Sequence, residues 1–261
     1  MLYVFFLKND RCLPFIGYFC RKFYKRMKWS EFFTSSIGKK FVMGLTGLFL
    51  ISFLIIHVSI NACIFADLPV FNSNDNGEMF NTAAHFMGST VLIRIMEVGL
   101  MAGILLHIVQ GYVLEVKNRA TRSVGYAVGL GNRGSKWYSR WMGLLGTLIL
   151  LFLVIHLAHF WVKARFTHEL PPVTYNGVEM HDMFSEMKVV FSHPVVVIIY
   201  VLGCISLAYH LAHGFQSAFR TVGVHNKKYN GMLTGLGYGF AILVPLVFAL
   251  MPIAVYFGWV S

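Results

Sequence analysis

Five stretches of the chain run almost unbroken in apolar residues, at 41–65, 92–116, 140–162, 195–219 and 234–258. Each is near the ~20 residues an α-helix needs to cross a hydrocarbon core. Polar or Pro/Gly-containing connections separate them. The pattern predicts an all-α integral membrane protein with five transmembrane helices, its membrane domain spanning 29–261. Residues 1–28 precede it as a basic-aromatic extension of open role. Lys/Arg beside Tyr and Phe suit a headgroup interface there, and the apolar part is too short for a secretory signal.

Composition agrees: 57% hydrophobic, 13% charged and a mean hydropathy of +0.64, against about 25% charged in soluble domains. The net charge of +11 matters mainly through its distribution. The tail up to Lys40 holds nine Lys/Arg, the 116–140 connection six and the 220–233 connection three; only Arg94, Lys163, Arg165 and Lys188 lie elsewhere. That asymmetry predicts a cytoplasmic N-terminus and an outside C-terminus, and it accounts for the positive charge without a nucleic-acid partner. Cys12, Cys20, Cys63 and Cys204 are scattered, with no CxxC and no CxxCH, so neither disulfides nor covalent haem is expected.

Four of the five segments carry a histidine in their apolar part: LIIHVSI (His57), LLHIVQG (His107), LVIHLAHF (His156) and LAYHLAHG (His210). Ionisable groups at such depth are costly and usually face a partner. Counting from segment midpoints at ~1.5 Å per residue puts His57 and His156 ~6–7 Å toward the outside, and His107 and His210 ~4–5 Å toward the cytoplasm. Two stacked bis-histidine sites result, with four helices bundled around them. Two imidazoles alone suit haem b, whose porphyrin supplies the other nitrogens, better than zinc, which wants more ligands. Gly99, Gly103 and Gly111 share a helical face with His107, leaving room for a macrocycle or serving ordinary close helix packing.

An internal repeat supports the register. VMGLTGLFLISFLIIHVSIN (42–61) aligns without gaps to WMGLLGTLILLFLVIHLAHF (141–160), with eight of twenty positions identical, His57/His156 among them. This predicts a duplicated helix hairpin related by an axis along the membrane normal. It also selects His156 over His159, and His210 over His213, as the ligand of each HxxH. His159 and His213, one turn nearer the interface, are given no ligand role, with bonds to backbone or a haem propionate as the lesser alternative.

FFTSSIGKK before the first segment, IIHxxxN within it, AAHFMGS followed by LIRIMEVGL, and HLAHGFQSAF in the fourth segment together resemble the dihaem cytochrome b anchor of succinate:quinone oxidoreductases (succinate dehydrogenase/fumarate reductase), of the one-subunit five-helix type. The resemblance runs from about Trp29 to the C-terminus. It implies two b haems, an outer one on His57 and His156 and an inner one on His107 and His210. It further implies flavoprotein and iron–sulfur subunits on the cytoplasmic face, and a membrane quinone, menaquinone in this subgroup, as electron partner. The location implied is the bacterial inner membrane. Such a chain is part of an enzyme but carries no succinate site itself. Some fumarate-reducing relatives have a glutamate two residues before the fourth ligand; here that position is Ala208, which places a proton route of that kind in doubt.

Quinone chemistry needs polar groups for the quinone oxygens and a proton donor. On the outer side Asn81, His85, Arg94 and Glu97 are the candidates, although Glu97 and Arg94, three residues apart, are expected to pair with each other. A histidine-relay transporter would want acidic groups and helix breaks at midplane, and apart from Glu97 none is in view. The other cytochrome b anchors, of hydrogenase or formate dehydrogenase type, stay open as an alternative.

Overall fold

The computed structural model describes residues 29–68, 70–71, 75–120, 136–224 and 226–260. The 1–28 extension, and Arg122 and Arg133 of the second basic connection, lie outside the described residues. The described chain is mostly helical, with five helices long and apolar enough to cross a membrane, the mark of a multi-pass membrane protein.

Helix α1 (Trp29–Thr34) leads into α2 (Ser36–Asn61), the first of the five. At the corner the Ser35 hydroxyl donates to the Phe32 carbonyl (2.6 Å) and accepts from the Gly38 amide (3.0 Å). A Cβ at Gly38 would run into that carbonyl, so the turn needs glycine. A 3₁₀ stretch (Ala62–Asp67) prolongs α2. There follow α3 (Glu78–Ser89), α4 (Val91–Ala120), α5 (Trp137–Arg140) and α6 (Met142–His156). The last continues directly as a π-helix, Leu157–Thr167. An antiparallel hairpin, β1 (Pro172–Tyr175) and β2 (Val178–His181), precedes α7 (Met183–Phe191), α8 (Pro194–Thr221) and α9 (Lys227–Tyr256).

The long helices match the predicted segments but overrun their ends. α4 continues to Ala120, and α9 starts at Lys227 rather than 234, its Asn226 side chain accepting from the Lys228 amide. Backbone amides and carbonyls stay satisfied in a helix after the apolar run stops, so helix length exceeds apolar length.

Close backbone packing is uneven. α8 lies along α9 and, less extensively, against α6, whereas α2 meets its neighbours chiefly through side chains. In the most apolar window of α4 no residue is buried, against 33% in α8 and in α9.

The end of the helices away from the basic connections carries a cap that the apolar pattern does not show. Its core joins Ile64, Phe80, Phe184, Met187, Phe191, Tyr200, Met251 and Val260. Asn81, fully buried, is its polar hub: its amide nitrogen donates to Asp182 (2.9 Å) and to the Tyr175 hydroxyl (3.4 Å), and its oxygen accepts from the Phe184 amide (3.0 Å). Asp182 in turn caps α7 through the Ser185 amide. Gly77, at φ +75°, opens α3 where a side chain would strike the Phe184 ring.

Candidate functional site

The four histidines come together as two facing pairs. His57 and His156 have ring centroids 5.9 Å apart, with ring planes at 83°; His107 and His210 are 6.3 Å apart, at 64°. Each pair joins helices that the internal repeat relates, α2 with α6 and α4 with α8. Two imidazoles binding one metal from opposite sides through bonds of about 2 Å would have centroids about 6.3 Å apart. The centroid spacing of either pair is thus close to that of two imidazoles sharing one metal atom.

The surroundings repeat as the sequence does. Phe53 stacks on His57 (5.1 Å), and its counterpart Phe152 stacks on His156 (5.6 Å). A Cβ at Gly47 would lie 3.6 Å from the His107 ring, and one at its counterpart Gly146 would lie 3.8 Å from the His210 ring. Gly44 of α2 faces Thr221 of α8, while its counterpart Gly143 of α6 faces Glu115 of α4. These reciprocal contacts describe a two-fold relation between the α2–α4 and α6–α8 hairpins, with its axis passing between the imidazoles of each pair. Ten residues separate Gly47, level with the His107 ring, from His57, so the pairs occupy two levels on the order of 10–15 Å apart.

The ring nitrogens are unequally supported. His107 Nδ1 meets the Thr46 hydroxyl at 3.1 Å and His57 Nδ1 the Asn61 amide at 3.3 Å. His156 Nδ1 and His210 Nδ1 are buried with no partner among the described residues. No hydrogen bond among the described residues occupies the Nε2 of any of the four. The donor set thus fits a group that takes two neutral imidazoles and brings its remaining ligands with it. A shallow, open apolar groove lined by Leu45, Thr46, Leu48, Phe49, Gly99 and Gly103 adjoins the His107 side.

Of the other candidates, Asn81 is the hub of the cap described above, and His85 is half-buried on α3. Arg94, exposed on α4, donates from Nε to the Gly88 carbonyl at 3.1 Å. Glu97 does not pair with Arg94. Its carboxylate accepts from Trp161 Nε1 (2.5 Å) and from Arg165 Nε (3.2 Å) and Nη2 (3.0 Å), both residues of the π-helix. On another side of the same π-helix His159 Nδ1 meets the Tyr200 hydroxyl at 2.9 Å, and Lys163 pairs with Glu186 at 2.6 Å. Trp161, Tyr200 and the Lys163–Glu186 pair are not among the sequence candidates, nor is Arg165 as the partner of Glu97, because these contacts join the third and fourth helices, the segment between them and α4, which pattern alone does not bring together.

At the basic end Lys136 Nζ donates to the Tyr238 hydroxyl (3.2 Å), which also meets the Tyr138 hydroxyl (2.9 Å). The Tyr238 contact raises the Lys136 pKa above its ordinary value. Trp137 packs against Tyr209, the neighbour of His210, at 4.6 Å. Trp and Tyr concentrate at membrane–water boundaries because one end of the ring is apolar and the other wet.

Comparison with known proteins finds no family model, curated protein or solved structure that matches this chain.

Proposed function

We propose that the chain is the membrane anchor and electron-transfer subunit of a succinate:quinone oxidoreductase, holding one b haem on His57 and His156 and a second on His107 and His210. The observation that carries this reading is the pairing itself, with centroids at 5.9 and 6.3 Å beside about 6.3 Å for two imidazoles on one metal. A haem bound at each pair would supply reversible one-electron transfer, for which bis-histidine ligation is suited.

The chain's own residues do the rest. The Thr46 hydroxyl and the Asn61 side chain orient the His107 and His57 rings from behind, the outer-shell role that fixes a ligand's tautomer and angle. Phe53 and Phe152 stack on the His57 and His156 rings and hold them flat. Gly47 and Gly146 leave the ring edges uncovered, and apolar walls on α2 and α4 keep water away.

The remaining assignments rest on charge and on the motif resemblance. Positive charge concentrates where α2 begins, α4 ends and α8 ends, so that end is assigned to the cytoplasm. The flavoprotein and iron–sulfur subunits dock there, next to His107 and His210, in the bacterial inner membrane. The quinone, menaquinone by resemblance, then reacts near His57 and His156 at the capped end. Among Asn81, His85, Arg94 and Glu97, the terminal nitrogens of Arg94 and the His85 ring are the groups without a hydrogen bond among the described residues.

A reduced-minus-oxidised spectrum with a haem-to-protein ratio tests the reading. Two haems per chain are expected, all released by acidified acetone. His57→Ala or His156→Ala should each remove one haem, and His107→Ala or His210→Ala the other. A ratio near one, or haem that resists extraction, overturns it.

A further inference from the structure

The cap has one side that its core does not explain. Helix α3 turns Phe80 and Asn81 into that core, 4% and 0% exposed. On its far side Met79, Thr82, Phe86 and Ser89 recur at three- and four-residue spacing and form a single exposed face. Met79 is 52% and Phe86 60% exposed. A helix face turned to water normally carries charge, and this one carries none. The two ionisable residues of α3 lie elsewhere. Glu78 accepts from the Asn176 side chain of the hairpin at 2.9 Å, and His85 is half-buried beside the face.

The face runs directly into a surface that belongs to a membrane-spanning helix. Only Thr90 separates α3 from α4, and its hydroxyl donates to the Phe86 carbonyl at 2.9 Å, which holds the last turn of α3 beside the start of α4. There Val91, Leu92 and Ile95 are all exposed, on a helix whose most apolar window has no buried residue. The level agrees. Val91 lies 16 residues from His107, about 24 Å along α4. With His107 ~4–5 Å to the basic side of the midplane, the α3–α4 corner falls about 20 Å to the other side. Headgroups occupy that level, since a bilayer extends about 20–22 Å from midplane to headgroup edge. Arg94 marks the same layer. Exposed on α4, it bends back so that Nε donates to the Gly88 carbonyl in the last turn of α3, as long cationic side chains do to keep their heads in polar surroundings.

We propose that α3 lies in the headgroup layer of the leaflet at the capped end, with Met79 and Phe86 turned toward the acyl chains. Amphipathic helices lie in this plane with the apolar face about 5–10 Å into the boundary. Lipid is the occupant that fits. Two apolar side chains set among Thr82 and Ser89 make too small a patch for a stable protein interface, which needs about 800 Å² per partner. The cap is then seated on the membrane along α3, while its hairpin, with Glu179 and His181 exposed, faces water.

The test uses the full chain in phosphatidylcholine nanodiscs, with Cys12, Cys20, Cys63 and Cys204 replaced by Ala and one nitroxide-labelled cysteine introduced at a time. Electron paramagnetic resonance reads the collisions of each label with oxygen, which concentrates in lipid, and with a nickel chelate, which stays in water. Labels at Met79→Cys and Phe86→Cys should collide more with oxygen than with nickel, and a label at Glu179→Cys the reverse. The unaltered chain supplies a second reading that does not depend on replacing the buried Cys204. Phosphatidylcholine carrying a photoreactive diazirine near its headgroup should label residues 78–89 and spare 172–181. Nickel-dominated collisions at 79 and 86, or no diazirine labelling of 78–89, overturn the proposal, since the face would then stand in water. Exclusion of both reagents from 79 and 86 also overturns it and marks a protein partner or a second copy of the chain.

Discussion

Replacing Glu97 by Gln removes the charge that Arg165 and Trp161 share, and leaves the guanidinium of Arg165 half-buried with a weaker acceptor. Hydrogen bonds to a charged group contribute about 1.5–3 kcal/mol, so Glu97→Gln should lower stability by about 2 kcal/mol in a detergent-unfolding assay. Arg94→Gln, at an exposed position, should do far less. Asp182 makes a pH test. Burial works against its carboxylate, but hydrogen bonds from Ser185 and Asn81 outweigh this and hold its pKa below the ordinary 3.8. A depressed folded pKa contributes stability that is fully present above 3.8 and is lost as pH falls below that value through the folded one. Proteolysis of the β1–β2 hairpin should therefore accelerate on acidification through that window, and Asp182→Asn should remove the dependence. The four paired histidines were legible one by one, because an ionisable residue in an apolar run has few innocent explanations. The partner of Glu97 was not. Arg165 is remote in sequence, and only the path of the chain beyond His156 brings the two side chains together.

At the scale of elements, the repeated hairpins were legible because a gapless match of apolar segments keeps glycine and histidine in register, and the contacts of Gly44, Gly47, Gly143 and Gly146 repeat as the match requires. Three things escaped. The β1–β2 turn is Asn176-Gly177, both at positive φ, the pairing that a two-residue hairpin turn demands; it was visible but brief among polar residues. The helices α3 and α7 are short, and their apolar faces are too narrow to stand out beside the membrane segments. The π-helix has no composition of its own. It follows from what its side chains reach, since Trp161 and Arg165 bind toward α4 while His159 and Lys163 bind toward α8 and α7. One close approach gives a sharp test: a Cβ at Gly203 would lie 2.7 Å from the ring of Phe152, which stacks on His156. Gly203→Ala should displace that ring and tilt the imidazole behind it. In a haem-loaded chain the electron paramagnetic resonance signal of one haem should shift while the other stays.

For the whole molecule, orientation is the expectation most open to direct measurement. A cysteine at Glu179 on the hairpin should react with an impermeant maleimide added outside intact cells, and one at Ser139 should react only after lysis. Hydrogen exchange with the soluble subunits bound should slow in 116–140 and not in 66–91; slowing confined to 66–91 would reverse both the orientation and the proposed electron path. The uneven packing noted above has a further consequence, for biogenesis. α8 and α9 lie against each other closely enough to settle as a hairpin on their own, while α2 and α4 have little backbone contact to hold them and present histidines inward. Under the proposed function, those two helices would close around their prosthetic groups rather than ahead of them. Cells starved of iron or porphyrin should then accumulate a chain clipped by membrane proteases between α2 and α4, with its C-terminal half spared.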